Sequence, residues 1–92
     1  MIKSFKSSEA ESIFHRQPVI RLKAIGNVAL RRLRNLDSVV NLMDLQLIPG
    51  NHLEKLKGDR TGQYSIRIND QYRICFEWVD GDAYNVEITD YH

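Results

Sequence analysis

One cysteine, two prolines and five glycines in 92 residues leave little room for staples or breaks. The single Cys75 excludes an intramolecular disulfide and any multi-cysteine metal site. A reducing compartment, most simply a cytoplasm, is expected. No apolar run approaches membrane-spanning length, and the opening Met1-Ile2-Lys3-Ser4-Phe5-Lys6 lacks the apolar segment of a signal peptide. Internal repeats, linkers and low-complexity segments are absent, so one domain is expected over residues 1–92, near the lower size limit for an unstapled core. Charge of one sign is also missing locally. Residues 74–92 carry five acids and no Lys or Arg, whereas residues 1–34 carry eight Lys/Arg against Glu9 and Glu11. Such a bipolar surface can meet a polyanion on one side and a basic partner on the other.

Apolar periodicity supplies the elements. Ile2-Lys3-Ser4-Phe5 alternates as a short strand. Ser7 or Ser8 before Glu9-Ala10-Glu11 starts a helix, with a hydroxyl cap and acids in the first turn, and this helix ends near surface residues His15-Arg16. Pro18 opens a second helix whose stripe is Leu22, Ile25, Ala29, Leu33 and Leu36, with Asp37-Ser38 as its exit. Arg21, Lys23, Arg31, Arg32 and Arg34 lie off that stripe as a solvated face, and Gly26 within it predicts close packing. Asp44-Leu45-Gln46-Leu47 reads as strand or extended connection, and Pro49-Gly50-Asn51 as a turn. The stretch from His52 to Gly58 reads as an ordered loop or edge strand pinned by Leu53 and Leu56 that presents His52, Lys55 and Lys57.

Three strands follow as a meander. Tyr64, Ile66 and Ile68 share a face; Tyr72, Ile74, Phe76 and Trp78 form the second apolar row, and Tyr84, Val86 and Ile88 the third. All three rows are even-numbered, and opposed residues share a face, so partner numbers must sum to an even number. Loops of odd length follow: Asn69-Asp70-Gln71, and three residues around Gly81. Arg67 then stands directly opposite Arg73 on the polar face, with Glu87 or Thr89 beyond and Tyr91 continuing that face. Two adjacent arginines repel, and an anion between them relieves it; Glu87 neutralising the pair is the structural alternative. Asp90 and His92 fall beside this cluster, and residues 55–60 can border it. Cations for a phosphate, with His or Tyr to exchange a proton with a ribose 2′-OH or a leaving 5′-oxygen, meet the needs of metal-free RNA cleavage. No acid cluster has metal-ligand character; Asp80 and Asp82 belong to a turn. No cofactor is expected.

The opening Met1-Ile2-Lys3-Ser4-Phe5, the Leu56-Lys57-Gly58-Asp59-Arg60 block, Tyr64-Ser65-Ile66, Tyr72-Arg73-Ile74, Gly81-Asp82-Ala83-Tyr84 and Asp90-Tyr91-His92 together resemble the HigB-type toxins of the RelE/ParE superfamily, from type II toxin–antitoxin pairs. The resemblance implies an α+β fold, with two N-terminal helices packed on a small curved, mainly antiparallel sheet. It also implies entry into the ribosomal A site, cleavage of the mRNA there, and inhibition by a cognate helix-turn-helix (HigA-like) antitoxin. Operator DNA would be met only through the antitoxin complex. By position, Lys57, Arg73, Asp90, Tyr91 and His92 match residues such enzymes use for RNA binding and cleavage; His52, as a catalytic candidate, and Lys55, Arg60 and Arg67, as RNA-binding candidates, complete the set. A histidine of some members is Glu54 here, and His52 is the nearest imidazole. A ParE-like gyrase inhibitor on the same fold, or a weakly active toxin that serves mainly as an antitoxin-bound co-repressor, are the alternatives.

Overall fold

The computed structural model describes residues 1–90. Its elements are helix α1 (Ser8–Phe14), a 3-10 stretch (Ile20–Ile25) running into α2 (Gly26–Ser38), and a short α3 (Leu42–Leu47). An edge strand β1 (Glu54–Lys55), a 3-10 turn (Gly58–Arg60), and strands β2 (Gln63–Arg67), β3 (Tyr72–Val79) and β4 (Asp82–Asp90) follow. The four strands form an antiparallel sheet in chain order.

Ser7 caps α1, its Oγ accepting from the Ala10 N–H at 3.2 Å. The apolar stripe buries as the spacing requires: Leu22, Ile25, Ala29, Leu33 and Leu36 pack with Ala10 and Ile13 on Ile66, Ile68, Ile74, Phe76, Val86 and Ile88. Gly26 departs from expectation. It opens α2 with ordinary helical angles (φ −54°, ψ −45°), and a Cβ there would meet nothing within 4 Å, so close packing does not require it; the break in the helix lies earlier, at the non-helical Leu22.

Residues 44–47, expected to be extended, belong to α3. Asn41 caps it, its Oδ1 accepting from the Met43 N–H at 3.0 Å, and Leu45 alone of the helix is fully buried. One buried side chain in six residues leaves no stripe to read, which is why periodicity missed this third helix.

The first hairpin has the expected register: Arg67 opposes Arg73, and the Ile68 N–H donates to the Tyr72 carbonyl at 3.0 Å. The second does not. Val79 pairs with Asp82 across a two-residue turn, Asp80 (φ 50°) and Gly81 (φ 85°), both left-handed as a type I′ hairpin needs. Parity is restored by a β-bulge between Cys75 and Glu77, where the left-handed Asn85 (φ 53°) is the extra residue. Beyond the bulge Ala83, not Tyr84, points into the core, and Tyr84 shares the face of its partner Glu77.

Residues 1–6 run along the outer edge of β4 as bridges Ile2–Ala83 and Phe5–Val86, both parallel. The Lys3 and Lys6 N–H groups donate to the Ala83 and Val86 carbonyls, and the Ala83 and Val86 N–H groups donate to the Met1 and Ser4 carbonyls.

Candidate functional site

The odd-numbered row of β2 and β3 makes the polar face, and Arg73 is its centre. Arg73 is only 8% exposed, although charged residues are rarely so buried without dedicated partners. Its Nε donates to Ser65 Oγ at 2.7 Å and one Nη to the His52 carbonyl at 2.6 Å, while the Glu54 carboxylate stands 3.9 Å away. Ser65 belongs to Arg73's row by parity, and Glu54 joins it because it pairs with Ser65 across the edge.

The loop of residues 49–52 supplies the remaining partner. Asn51 is fully buried, donates from Nδ2 to the Leu45 carbonyl at 3.1 Å, and accepts at its own carbonyl from the Arg67 N–H at 2.6 Å. His52 follows with φ 45°, a left-handed conformation uncommon outside glycine, which turns its carbonyl toward Arg73. His52 was expected to offer an imidazole. Its ring is exposed beside Gln46, Ile48, Pro49, Gly50 and Leu53, and it is the backbone that serves the arginine.

Arg67 turns outward into an ion pair with the exposed Asp70, so the Arg67–Arg73 repulsion is met by separate partners rather than by Glu87. Thr89 is the residue opposite Arg73; Glu87 opposes Cys75 and binds Arg60, whose Nη1 reaches it at 3.2 Å and Gln63 Oε1 at 3.0 Å. Lys6 adds a second cation to Glu87 at 3.6 Å. Arg60 therefore lies across the polar face, away from the Arg67 end. Lys57 precedes its turn, exposed and without an ion pair among the described residues. Lys55 pairs with Tyr64 and so falls on the opposite side of the sheet from Arg73, apart from this cluster. Asp90 pairs with Tyr72, on the helix-side row, and accepts from Gln71 Nε2 at 3.1 Å. Tyr91 and His92 lie outside the described residues.

Sequence reasoning missed Ser65, Glu54 and the His52 carbonyl as Arg73's partners. Parity could have found Ser65; nothing in the residue types announces the carbonyl. Among the described residues, no three His, Cys, Asp or Glu side chains gather to hold a metal ion. A recess of about 490 Å³, lined by Ile13, Pro18, Ile20 and Leu30, involves none of these groups.

The domain is a small α+β fold that buries an arginine on one face of its sheet, held by Ser65 and the His52 carbonyl. Comparison with known proteins identifies the family. Residues 3–92 match the family described as the RelE-like toxin of type II toxin–antitoxin system HigB. The chain is 40% identical over 87 residues to Toxin HigB-1 of Vibrio cholerae serotype O1, covering 92% of each. It is 34% identical over 95 residues to Endoribonuclease HigB of Proteus vulgaris, covering all of both. The toxin in a YoeB–YefM complex from Staphylococcus aureus shares its fold, with a TM-score of 0.59 at 21% identity over 100% of this chain and 98% of that one. The chain belongs to the HigB-like family of RelE-type toxins.

Proposed function

We propose that this toxin is a ribosome-dependent endoribonuclease that cleaves mRNA by metal-free transesterification. The observation that carries it is Arg73, a buried guanidinium oriented by Ser65 and the His52 carbonyl on the polar face. A guanidinium so placed binds a phosphate with fixed geometry, and its stabilisation grows as charge develops on the phosphoryl oxygens. Similarity to a relative named as an endoribonuclease supports the same chemistry.

The ribose 2′-oxygen attacks the adjacent phosphorus while the bond from phosphorus to the 5′-oxygen breaks, giving a 2′,3′-cyclic phosphate and a free 5′-hydroxyl. One group takes the 2′-OH proton and another protonates the leaving 5′-oxygen. Tyr91 and His92 are the proposed proton carriers, Arg73 and Lys57 the proposed phosphate cations, and Asp90 the residue that orients the carriers. The toxin works in the cytoplasm, where a helix-turn-helix antitoxin restrains it; operator DNA is met only through that complex.

Mapping mRNA 5′ ends after induction is expected to show in-frame cuts within coding sequences, lost in His92→Ala. Growth arrest with intact transcripts would overturn the proposal, and full toxicity of His92→Ala under those conditions would favour a gyrase-directed activity.

A further inference from the structure

Among the described residues, the polar or charged ones that are buried are Asn51, Ser65 and Arg73. They meet in one place, although they come from a loop, from β2 and from β3. Ser65 holds Arg73 directly, accepting from its Nε at 2.7 Å. Asn51 reaches it through the next residue. Its Nδ2 donates to the Leu45 carbonyl at 3.1 Å, tying the loop to α3, and its own carbonyl accepts from the Arg67 N–H at 2.6 Å, tying the loop to the end of β2. With residue 51 fixed on both sides, the left-handed His52 (φ 45°) aims its carbonyl at Arg73, 2.6 Å from one Nη. The loop is braced from a further direction. Arg32 Nη1 donates to the Pro49 carbonyl at 3.3 Å, and Gly50 (φ 88°) leaves room for that guanidinium, since a Cβ there would lie 2.5 Å from Arg32 Nη2.

Stability alone does not account for an asparagine here. Its Oδ1 is buried with no hydrogen-bond partner among the described residues, an arrangement that costs stability. The Leu45 carbonyl also has a second donor, the Ile48 N–H at 3.3 Å, so an apolar residue of the same shape at position 51 would not leave it bare. What the amide adds is direction. We propose that Asn51 is a positioning residue for RNA cleavage: fully buried and out of reach of RNA, it fixes the His52 carbonyl and through it the orientation of the Arg73 guanidinium. The role rests on the nuclease proposal for the reaction it serves. A guanidinium free to swing presents its fork to the phosphoryl oxygens in only some of its poses, whereas one held at both Nε and Nη is already set.

The test follows single-turnover cleavage of mRNA bound to purified ribosomes, at rising toxin concentration, together with thermal melts. The proteins are wild type, Asn51→Leu, Arg73→Lys, the double variant and, as a destabilised control, Ser7→Ala, which loses the cap of α1 rather than this loop. Asn51→Leu is close in shape and is expected to melt near wild type, yet to cleave about 10- to 100-fold more slowly at saturation with an unchanged half-saturating concentration. In the Arg73→Lys background the same change should cost little more, because no guanidinium fork remains to be oriented. Ser7→Ala should melt earlier and keep the saturating rate. A second measurement is independent of turnover: in nitrogen-edited NMR spectra the Arg73 Nη protons, identified by their absence from Arg73→Lys, should exchange slowly with water in wild type and faster in Asn51→Leu. An unchanged saturating rate in folded Asn51→Leu, an equal factor in both Arg73 backgrounds, or unchanged Nη exchange would overturn the positioning role and leave the nuclease proposal standing. Wild type that leaves ribosome-bound mRNA intact would overturn both.

Discussion

Ser65 is a small residue with a large obligation. It is fully buried, and its hydroxyl is the acceptor for Arg73 Nε at 2.7 Å. Removing one partner of a buried charged donor costs more than the net worth of the bond, because the donor stays desolvated. Ser65→Ala is therefore expected to lower unfolding free energy by about 1–3 kcal/mol, seen as a lower urea midpoint at unchanged slope. An unchanged midpoint would show that Arg73 is oriented by its other contacts alone. At this scale the sequence was legible wherever side-chain alternation decides the answer: Arg67 opposite Arg73 follows from parity together with the three-residue loop 69–71. It was illegible where the backbone acts, as at His52, whose residue type points to an imidazole while the left-handed φ gives its carbonyl the role. The side of the sheet on which Lys55 falls was equally illegible, since an unassigned two-residue edge strand has no parity to read.

Helices α1 and α2 and the three-strand meander were legible because their apolar residues recur at 3.6 or 2. The second hairpin shows where such reasoning stops. The parity constraint held only as far as the bulge: beyond it Glu77–Tyr84, Trp78–Ala83 and Val79–Asp82 break it, because an extra residue at Asn85 lets a two-residue turn close the hairpin with Ala83 instead of Tyr84 inward. The bulge also has its own contacts: the Asn85 N–H donates to Ser4 Oγ at 2.8 Å, and its Nδ2 to Glu77 at 2.7 Å. Deleting Asn85 would set the turn against the core, so that either Ala83 or the Val86–Ile88 pair must leave the interior. That variant is expected to lose its cooperative melt by far-UV circular dichroism, whereas Asn85→Gly, free to adopt φ 53°, should stay folded. A deletion variant that melts like wild type would show that the bulge does not set the register.

Charge is separated across the molecule, with basic residues along α2 and the edge loop and acids gathered in β3 and β4. Composition made that polarity legible; the placement of Arg32 against the loop after α3 was not, because it depends on how the helix sits against that loop. The pairing along the outer edge of β4 reaches furthest in sequence, Ser4 and Asn85 being 81 residues apart. Closing so long a loop carries a large entropic penalty before its few bonds repay it, so local hairpins form earlier. Ile2→Ala is thus expected to leave the folding rate nearly unchanged and to accelerate unfolding, by stopped-flow fluorescence of Trp78. Folding slowed in proportion to the stability lost would place this edge in the rate-limiting nucleus. During translation the consequence is one of timing. Residues 2–5 emerge from the ribosome long before residues 83–86 exist to receive them, so until then a half-made toxin keeps one margin of its sheet open.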